Sequence, residues 1–372
     1  MNEAMYHPGL EGIIAGETAI STVDGGLRYR GYAIEELAKQ ASFEETAYLI
    51  WHGELPNATQ LGGLKQRMAE ARVPQDVMHF LAVMPRNSNS MDVLRTGISA
   101  LAHWDTETED NQPEANLRKS ERLLAQCAVL VAAWYRLRQE KLPLGPSPQR
   151  SLAGNLLYML TGQEPTPRMV KAMDVSLILY AEHEFNASTF TARVVCSTLS
   201  DLHSGVTAAI GALKGPLHGG ANEKVMEVLG DVGTPELAEA WVREALARKV
   251  RIMGFGHRVY KTGDPRAAYL KSLCAELAAE TGHEDMEQMA DIIETIVTRE
   301  KQLPPNLDWP SARLYYYLGL PVEVYTPLFV ASRIVGWTAH IMEQLANNRL
   351  IRPRSRYVGP EPKAWIELDR RS

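Results

Sequence analysis

The sequence predicts an all-α fold of many helices with a minor N-terminal β element. Three observations carry that expectation. Apolar residues recur at helical spacing from about Ile34 almost to the end, alternating strand pattern is scarce, and glycine or proline punctuates the helical blocks. The exception is "TAISTVDGGLRYRGY", where Asp24-Gly25-Gly26 can turn a small hairpin. The first helical block, "FEETAYLIWHGELP", places Phe43, Ala47, Tyr48 and Ile50 on one side and meets stops at Gly53 and Pro56.

Similar blocks follow in "ANLRKSERLLAQCAVLVAAWYRLRQE", "PRMVKAMDVSLILYAEHEF", "TARVVCSTLSDLHSGVTAAIGALKG", "TPELAEAWVREALARKV", "PRAAYLKSLCAELAAETG", "MEQMADIIETIVTREKQ" and "TPLFVASRIVGWTAHIMEQLANNR". No period of about 20 to 50 residues repeats, which argues against a helical solenoid. A length of 372 residues suits roughly two domains.

Composition excludes several classes. Hydrophobic residues at 45% and charged residues at 23% are ordinary globular values, so neither disorder nor a fibrous repeat is suggested. Lys plus Arg (39) are outnumbered by Asp plus Glu (45), so the basic footprint of a nucleic-acid binder is missing. Cys127, Cys196 and Cys274 are odd in number and far apart, which indicates neither a disulfide framework nor a zinc site. With no signal-peptide pattern in "MNEAMYHPGLEGIIAGET" and no apolar run of membrane-spanning length, a soluble cytoplasmic protein is expected.

Chemistry concentrates in the loops between helices. His218, in "LKGPLHGGANE", follows a Gly-Pro turn and precedes two glycines that leave room for a ligand. His257, in "GFGHRVYKTGDPRA", stands beside Gly254 and Gly256, with Arg258 and Lys261 after it; cations nearby favour the neutral imidazole. Spacing alone leaves a plain loop histidine equally open in both cases. "GFGHRV" begins like a dinucleotide fingerprint, but Val259 fills the third glycine position and no strand pattern leads into it. Asp308, in "PPNLDWPSARLYY", reads on its own as a helix N-cap, with Pro310 in the first turn. His183, between Glu182 and Glu184, reads alone as a helix-end histidine. Arg266, Arg333 and Arg352 could each be solvated or salt-bridged; together they suit a dicarboxylate, which a guanidinium can grip through two parallel hydrogen bonds.

In this order and spacing, "LKGPLHGGANE", "IMGFGHRVYK" with "DPRA", and "PPNLDW" resemble the three catalytic segments of the citrate synthase family. The resemblance runs from "PGLEGIIAGET" through "RYRGYAIEELA", "ASFEETAYLIWHGELP", "MDVLRTGISAL" and "EHEFNASTFTARV" to "NNRLIRPRSRYVGP", nearly the whole chain. It implies a homodimer with a large helical domain, residues 1–219 and 320–372, and a small domain, 220–319, that closes over the substrates. His218, His257 and Asp308 match the family's catalytic positions. His183, Arg266 and Arg333 match its oxaloacetate-binding positions, and Arg352 the arginine that completes the neighbouring subunit's site. Gly254, Gly256 and Lys261 would lie along coenzyme A.

The activity implied is condensation of acetyl-CoA with oxaloacetate, followed by hydrolysis of citryl-CoA. Only small-molecule substrates are involved, with no metal and no cofactor beyond the thioester substrate. Because the chain begins almost at the shared "GLEG", the resemblance implies a short-type dimer without the extra N-terminal domain of the larger, NADH-inhibited bacterial enzymes. Within the family, 2-methylcitrate synthase, which takes propionyl-CoA, is the alternative. From other classes, His218, His257 and Asp308 could form a two-histidine, one-carboxylate metal triad, or the fold could be a non-catalytic scaffold. Two departures from the family pattern stand out: "NLDWPS" replaces the common "NVDFYS", and Asn89-Ser90 replaces a common His-Pro.

Overall fold

The structure, a computed structural model, describes residues 6–257, 260 and 263–371. Near the start, β1 (Ser21–Thr22), β2 (Arg28–Tyr29) and β3 (Tyr32–Ala33) form an antiparallel meander in the order β1-β2-β3. Ser21 pairs with Tyr29 across the expected glycine turn, and Tyr29 pairs with Tyr32 across a second one. That second turn puts both Arg30 (φ 49°) and Gly31 (φ 91°) in positive φ, as a two-residue hairpin requires. The third strand was not anticipated from the sequence.

The helices α1 (Ile34–Gln40), α2 (Phe43–His52), α3 (Ala58–Glu70), α4 (Gln75–Val83), α5 (Ser90–Leu101), α6 (Pro113–Arg138), α7 (Leu152–Thr161) and α8 (Pro167–Tyr180) follow. After them come α9 (Ala187–Cys196), α10 (Leu202–Leu213), α11 (Ala221–Val232), α12 (Pro235–Ala247), α13 (Pro265–Thr281), α14 (Glu284–Lys301), α15 (Asp308–Tyr317) and α16 (Tyr325–Ala346). The all-α expectation therefore holds.

Local chemistry explains many of the boundaries. Ser42 and Glu45 form a reciprocal capping box at the start of α2, and Gly53, in the left-handed region, closes it. Asn89 caps α5 by accepting from Met91 N at 2.9 Å, so the Asn89-Ser90 departure from the family pattern starts a helix. The block "TARVVCSTLSDLHSGVTAAIGALKG" is split between α9 and α10. Leu199 turns the chain with φ 68°, and Asp201 starts α10 by accepting from Ser204 N at 2.9 Å.

α16 is buried along almost its whole length and packs against α6, α8, α9 and α10, which makes it the central helix. α11 to α15 pack chiefly on one another: α12 on α14, α13 on α15, and α11 on α15. Both α13 and α15 also touch α8. Residues of α8, α13, α15 and α16 therefore converge where these two groups of helices meet. Among the described residues, no helix is long and apolar enough to cross a membrane.

Candidate active site

Asp308 is the first residue of α15, but its carboxylate does not cap the helix. Instead, Oδ1 accepts a hydrogen bond of 2.7 Å from the hydroxyl of Tyr180, the last residue of α8. Burial pushes this carboxyl above the ordinary aspartate range, and the Tyr180 hydrogen bond opposes the shift. Its loop is held from below, because Asn306 Oδ1 accepts from Asp308 N at 3.0 Å.

The same loop is joined to the one carrying His257. Gly256 N donates to Pro304 O at 2.8 Å, Asn306 N donates to Gly254 O at 2.9 Å, and Asn306 Nδ2 donates to Gly256 O at 2.9 Å. At Gly254, φ is 88° and an added Cβ would lie 2.9 Å from the Trp309 ring, so a side chain there is excluded on two counts. Trp309 turns inward: it is 1% exposed and packs on Phe255 with ring centroids 4.7 Å apart. The "NLDWPS" departure from the family pattern thus puts a tryptophan into the core beside Gly254. Lys261, expected along coenzyme A, lies outside the described residues, as does Arg258.

His218 lies in the turn after α10, at the N-terminal end of α9. Its Nε2 accepts from Ser188 N at 3.2 Å and meets Ser188 Oγ at 2.7 Å, and Trp337 Nε1 donates to that hydroxyl at 3.0 Å. A backbone N–H can only donate, so Nε2 is the acceptor and the ring proton sits on Nδ1. Burial, and then the charge of Arg333, lower the His218 pKa to about 4. The imidazole is therefore neutral at pH 7, with its one N–H at Nδ1.

His183 and His257 meet edge to face with centroids 5.2 Å apart, and Tyr260 stacks on His257 at 4.6 Å. Tyr260 Oη is also 3.1 Å from His183 Nε2, and Tyr260 N donates to His257 Nδ1 at 3.3 Å. Burial, together with Arg266, Arg333 and His257, holds the His183 pKa well below that of an ordinary histidine.

The two buried arginines differ. Arg266 donates through Nε and Nη2 to Asp264 at 3.0 and 2.8 Å, so its fork already grips a carboxylate of the protein, and Nη1 makes only a long contact of 3.5 Å with Leu179 O. Burial works against its charge, but Asp264 outweighs burial and holds the guanidinium above its ordinary pKa. Arg333 is 2% exposed, lies 4.7 Å above the Phe329 ring, and donates through Nε to Tyr180 O at 2.6 Å. Among the described residues no carboxylate stands within ion-pair distance of it. Burial lowers its pKa to about 10, only partly offset by Glu182, which leaves it charged at pH 7 but poorly compensated.

Arg352 is exposed in the segment after α16 and makes no hydrogen bond or ion pair to its own protomer among the described residues. Within one protomer the structure thus gathers His183, His218, His257, Arg266, Asp308 and Arg333 around α8, α13, α15 and α16, and leaves Arg352 apart.

Sequence reasoning missed Tyr180, Ser188, Tyr260 and Asp264. Tyr180 continues the apolar spacing of "VSLILY" and reads as core. Asp264, two residues before Arg266 in "DPRA", was the one signal in plain view.

A helical fold with neutral imidazoles, a buried carboxyl and buried guanidinium groups at one junction defines an acyltransferase-type enzyme once the relatives are considered. The family model described as citrate synthase, C-terminal domain, matches residues 9–354. Citrate synthase 2 of Bacillus subtilis is 50% identical over 98% of this chain and 99% of its own length. The 2-methylcitrate synthase of Shewanella oneidensis is 44% identical, over 98% and 97% respectively. Citrate synthase from Thermoplasma acidophilum, solved as a ternary complex with carboxymethyl coenzyme A and oxaloacetate, superposes with a TM-score of 0.92 at 33% identity, covering 98% of this chain and 99% of that one. The chain belongs to the citrate synthase family.

Proposed function

We propose that this protein is a citrate synthase that condenses acetyl-CoA with oxaloacetate and then hydrolyses citryl-CoA to citrate and CoA. The observation that carries this reading is the pairing of a buried carboxyl, Asp308, with a neutral imidazole, His218, whose only proton is on Nδ1.

Removing a proton from carbon beside a thioester produces a poorly stabilised enolate. Asp308 accepts that proton, while His218 Nδ1–H donates to the thioester oxygen on which charge develops. A neutral donor suits this task, because its proton is shared with the oxygen and not lost to solvent. The enol carbon then attacks the ketone of oxaloacetate. His257 polarises that ketone and protonates the new alkoxide.

His183, Arg266 through Nη1, and Arg333 bind the oxaloacetate carboxylates, and Arg352 of the partner subunit completes the set. Arg333 gains most from the ligand, since it has no counter-ion of its own among the described residues. Holding both reactants near attack geometry contributes up to about 7 to 11 kcal/mol. Residues 220–319 close on the domain formed by 1–219 and 320–372, which excludes water until citryl-CoA has formed. Gly254, Gly256 and Lys261 border the coenzyme A path. For the two glycines, the support is a backbone held rigid against residues 304–306. The working form is a cytoplasmic homodimer that needs neither a metal nor a further cofactor.

The identity to the Shewanella oneidensis enzyme favours one second reading, in which propionyl-CoA replaces acetyl-CoA at the same residues. One methylene is worth only about 1 to 3 kcal/mol, so overlapping activities are expected. Steady-state rates with both thioesters separate the two: a higher kcat/KM for acetyl-CoA supports the first, and a higher kcat/KM for propionyl-CoA supports the second. Release of CoA from neither thioester would point to a scaffold that has only kept the fold.

A further inference from the structure

The side chain that fixes Asp308 is one to which neither the sequence nor the family comparison assigns a role. The Tyr180 ring is 2% exposed at the end of α8 and tilts against Phe329 with centroids 4.5 Å apart. Its hydroxyl lies 2.7 Å from Asp308 Oδ1 and 2.7 Å from Ser311 Oγ. A phenol has one proton, and an ionised carboxylate can only accept. The proton therefore goes to Asp308 Oδ1, and Ser311 Oγ, which also has the Asp308 main-chain carbonyl as a longer acceptor at 3.3 Å, donates to the phenol oxygen at 2.7 Å. Among the described residues, Asp308 Oδ2 takes no hydrogen bond.

We infer that Tyr180 is a positioning residue that locks the Asp308 carboxylate through Oδ1 and leaves Oδ2 as the oxygen that takes the substrate proton. The inference rests on Asp308 being the general base. The base transfers one proton, from carbon to Oδ2, and the tyrosine proton stays on its own oxygen throughout.

The surroundings support this division. Burial, and then the nearby Asp308 charge, hold the Tyr180 phenol well above its usual range, so it stays a donor at any working pH. The other charged groups acting on Asp308 are Arg266 and Asp264 at the start of α13 and Arg333 on α16. Of the groups that favour the ionised carboxylate, Tyr180 acts most strongly; both arginines act in the same direction, and burial and Asp264 oppose them. The main chain of Tyr180 has a separate task, since its carbonyl accepts from Arg333 Nε. A change confined to the hydroxyl therefore leaves the arginine anchored.

The test is Tyr180→Phe in the full chain, assayed from pH 5.5 to 9 with both substrates varied. The expected result is a fall in kcat of about 10- to 100-fold, the scale of one lost hydrogen bond to a charged group. The acid limb of kcat/KM for the acyl thioester should move to higher pH, because a carboxylate that loses a donor becomes more basic. KM for oxaloacetate should stay within about twofold. An unchanged kcat with an unmoved acid limb would overturn the inference and leave Tyr180 as packing.

Asp308→Asn, measured beside it, keeps the two claims apart. An inactive Asp308→Asn with a normal Tyr180→Phe sinks only the positioning role, whereas an active Asp308→Asn sinks the general-base reading itself. If Tyr180→Phe lost its cooperative melt, the inference would be replaced by a structural role for the hydroxyl; Ser311→Ala, which spares the Tyr180–Asp308 bond, should then keep the wild-type acid limb, and a shifted limb in that variant would also count against the assignment.

Discussion

Replacing Arg333 by glutamine removes a buried guanidinium whose charge the fold compensates poorly. With burial lowering its pKa to about 10, the charged form is disfavoured by roughly 3 kcal/mol. Against that relief stand the hydrogen bond to Tyr180 O and the contact with the Phe329 ring, together worth about 2 to 3 kcal/mol. The two nearly cancel, so the ligand-free variant should melt within a few degrees of the parent. Oxaloacetate binding should suffer far more, because a desolvated charge pair lost on one side costs about 2 to 5 kcal/mol, some 30- to several-thousand-fold in Kd. Calorimetric titration with oxaloacetate and a melt with and without it measure both quantities. A Kd within about threefold of the parent, or a ligand-free melt lowered by more than about 10 °C, would refute the reasoning.

Two further expectations concern pH. His218 has a folded pKa of about 4 against 6.5 unfolded, so the folded state binds fewer protons between those values, and the stability it contributes is lost as pH falls from about 6.5 to about 4. His218→Gln should flatten that part of the Tm profile and lower kcat by about 100- to 1,000-fold, as removal of an oxyanion donor does; a parent-like acid slope or a parent-like kcat would count against it. Asp174 has the opposite sign. Burial, and then the neighbouring Glu44 charge, raise its pKa to about 7, so its contribution is full below about 3.8 and is lost as pH rises through about 7. Asp174→Asn should flatten the Tm profile between about pH 4 and 7 without changing kcat, and an unaltered slope would show that Asp174 does not titrate there.

How much of this was legible in the sequence depends on the range of the interaction. Short-range signals were readable: the Gly53 stop and the apolar spacing of α6 and α16 gave the fold class directly, whereas the Ser42–Glu45 box emerged only in the structure. The division between α9 and α10 was not, because apolar spacing continues across Cys196 to Leu202 while a positive φ at Leu199 and the Asp201 cap break the helix. Asp308 shows the same limit at the site. On the chain it is a residue at a helix start, and only contact with Tyr180, 128 positions away, gives its carboxylate another partner. Arg266 was read as a carboxylate gripper without its neighbour Asp264, which occupies the fork. Asn89 and Trp309, departures without a reading in the sequence, have plain local roles as a helix cap and a core ring.

The central claim is that Asp308 removes the acyl α-proton. The measurement closest to it is exchange of that proton: with acetyl-CoA deuterated at the methyl group and an oxaloacetate analogue bound, loss of deuterium to water is followed for the parent and for Asp308→Ala. The parent should catalyse washout and the variant none above background, with oxaloacetate still bound at a Kd within a few-fold of the parent. Washout by Asp308→Ala at a near-parent rate would contradict the claim.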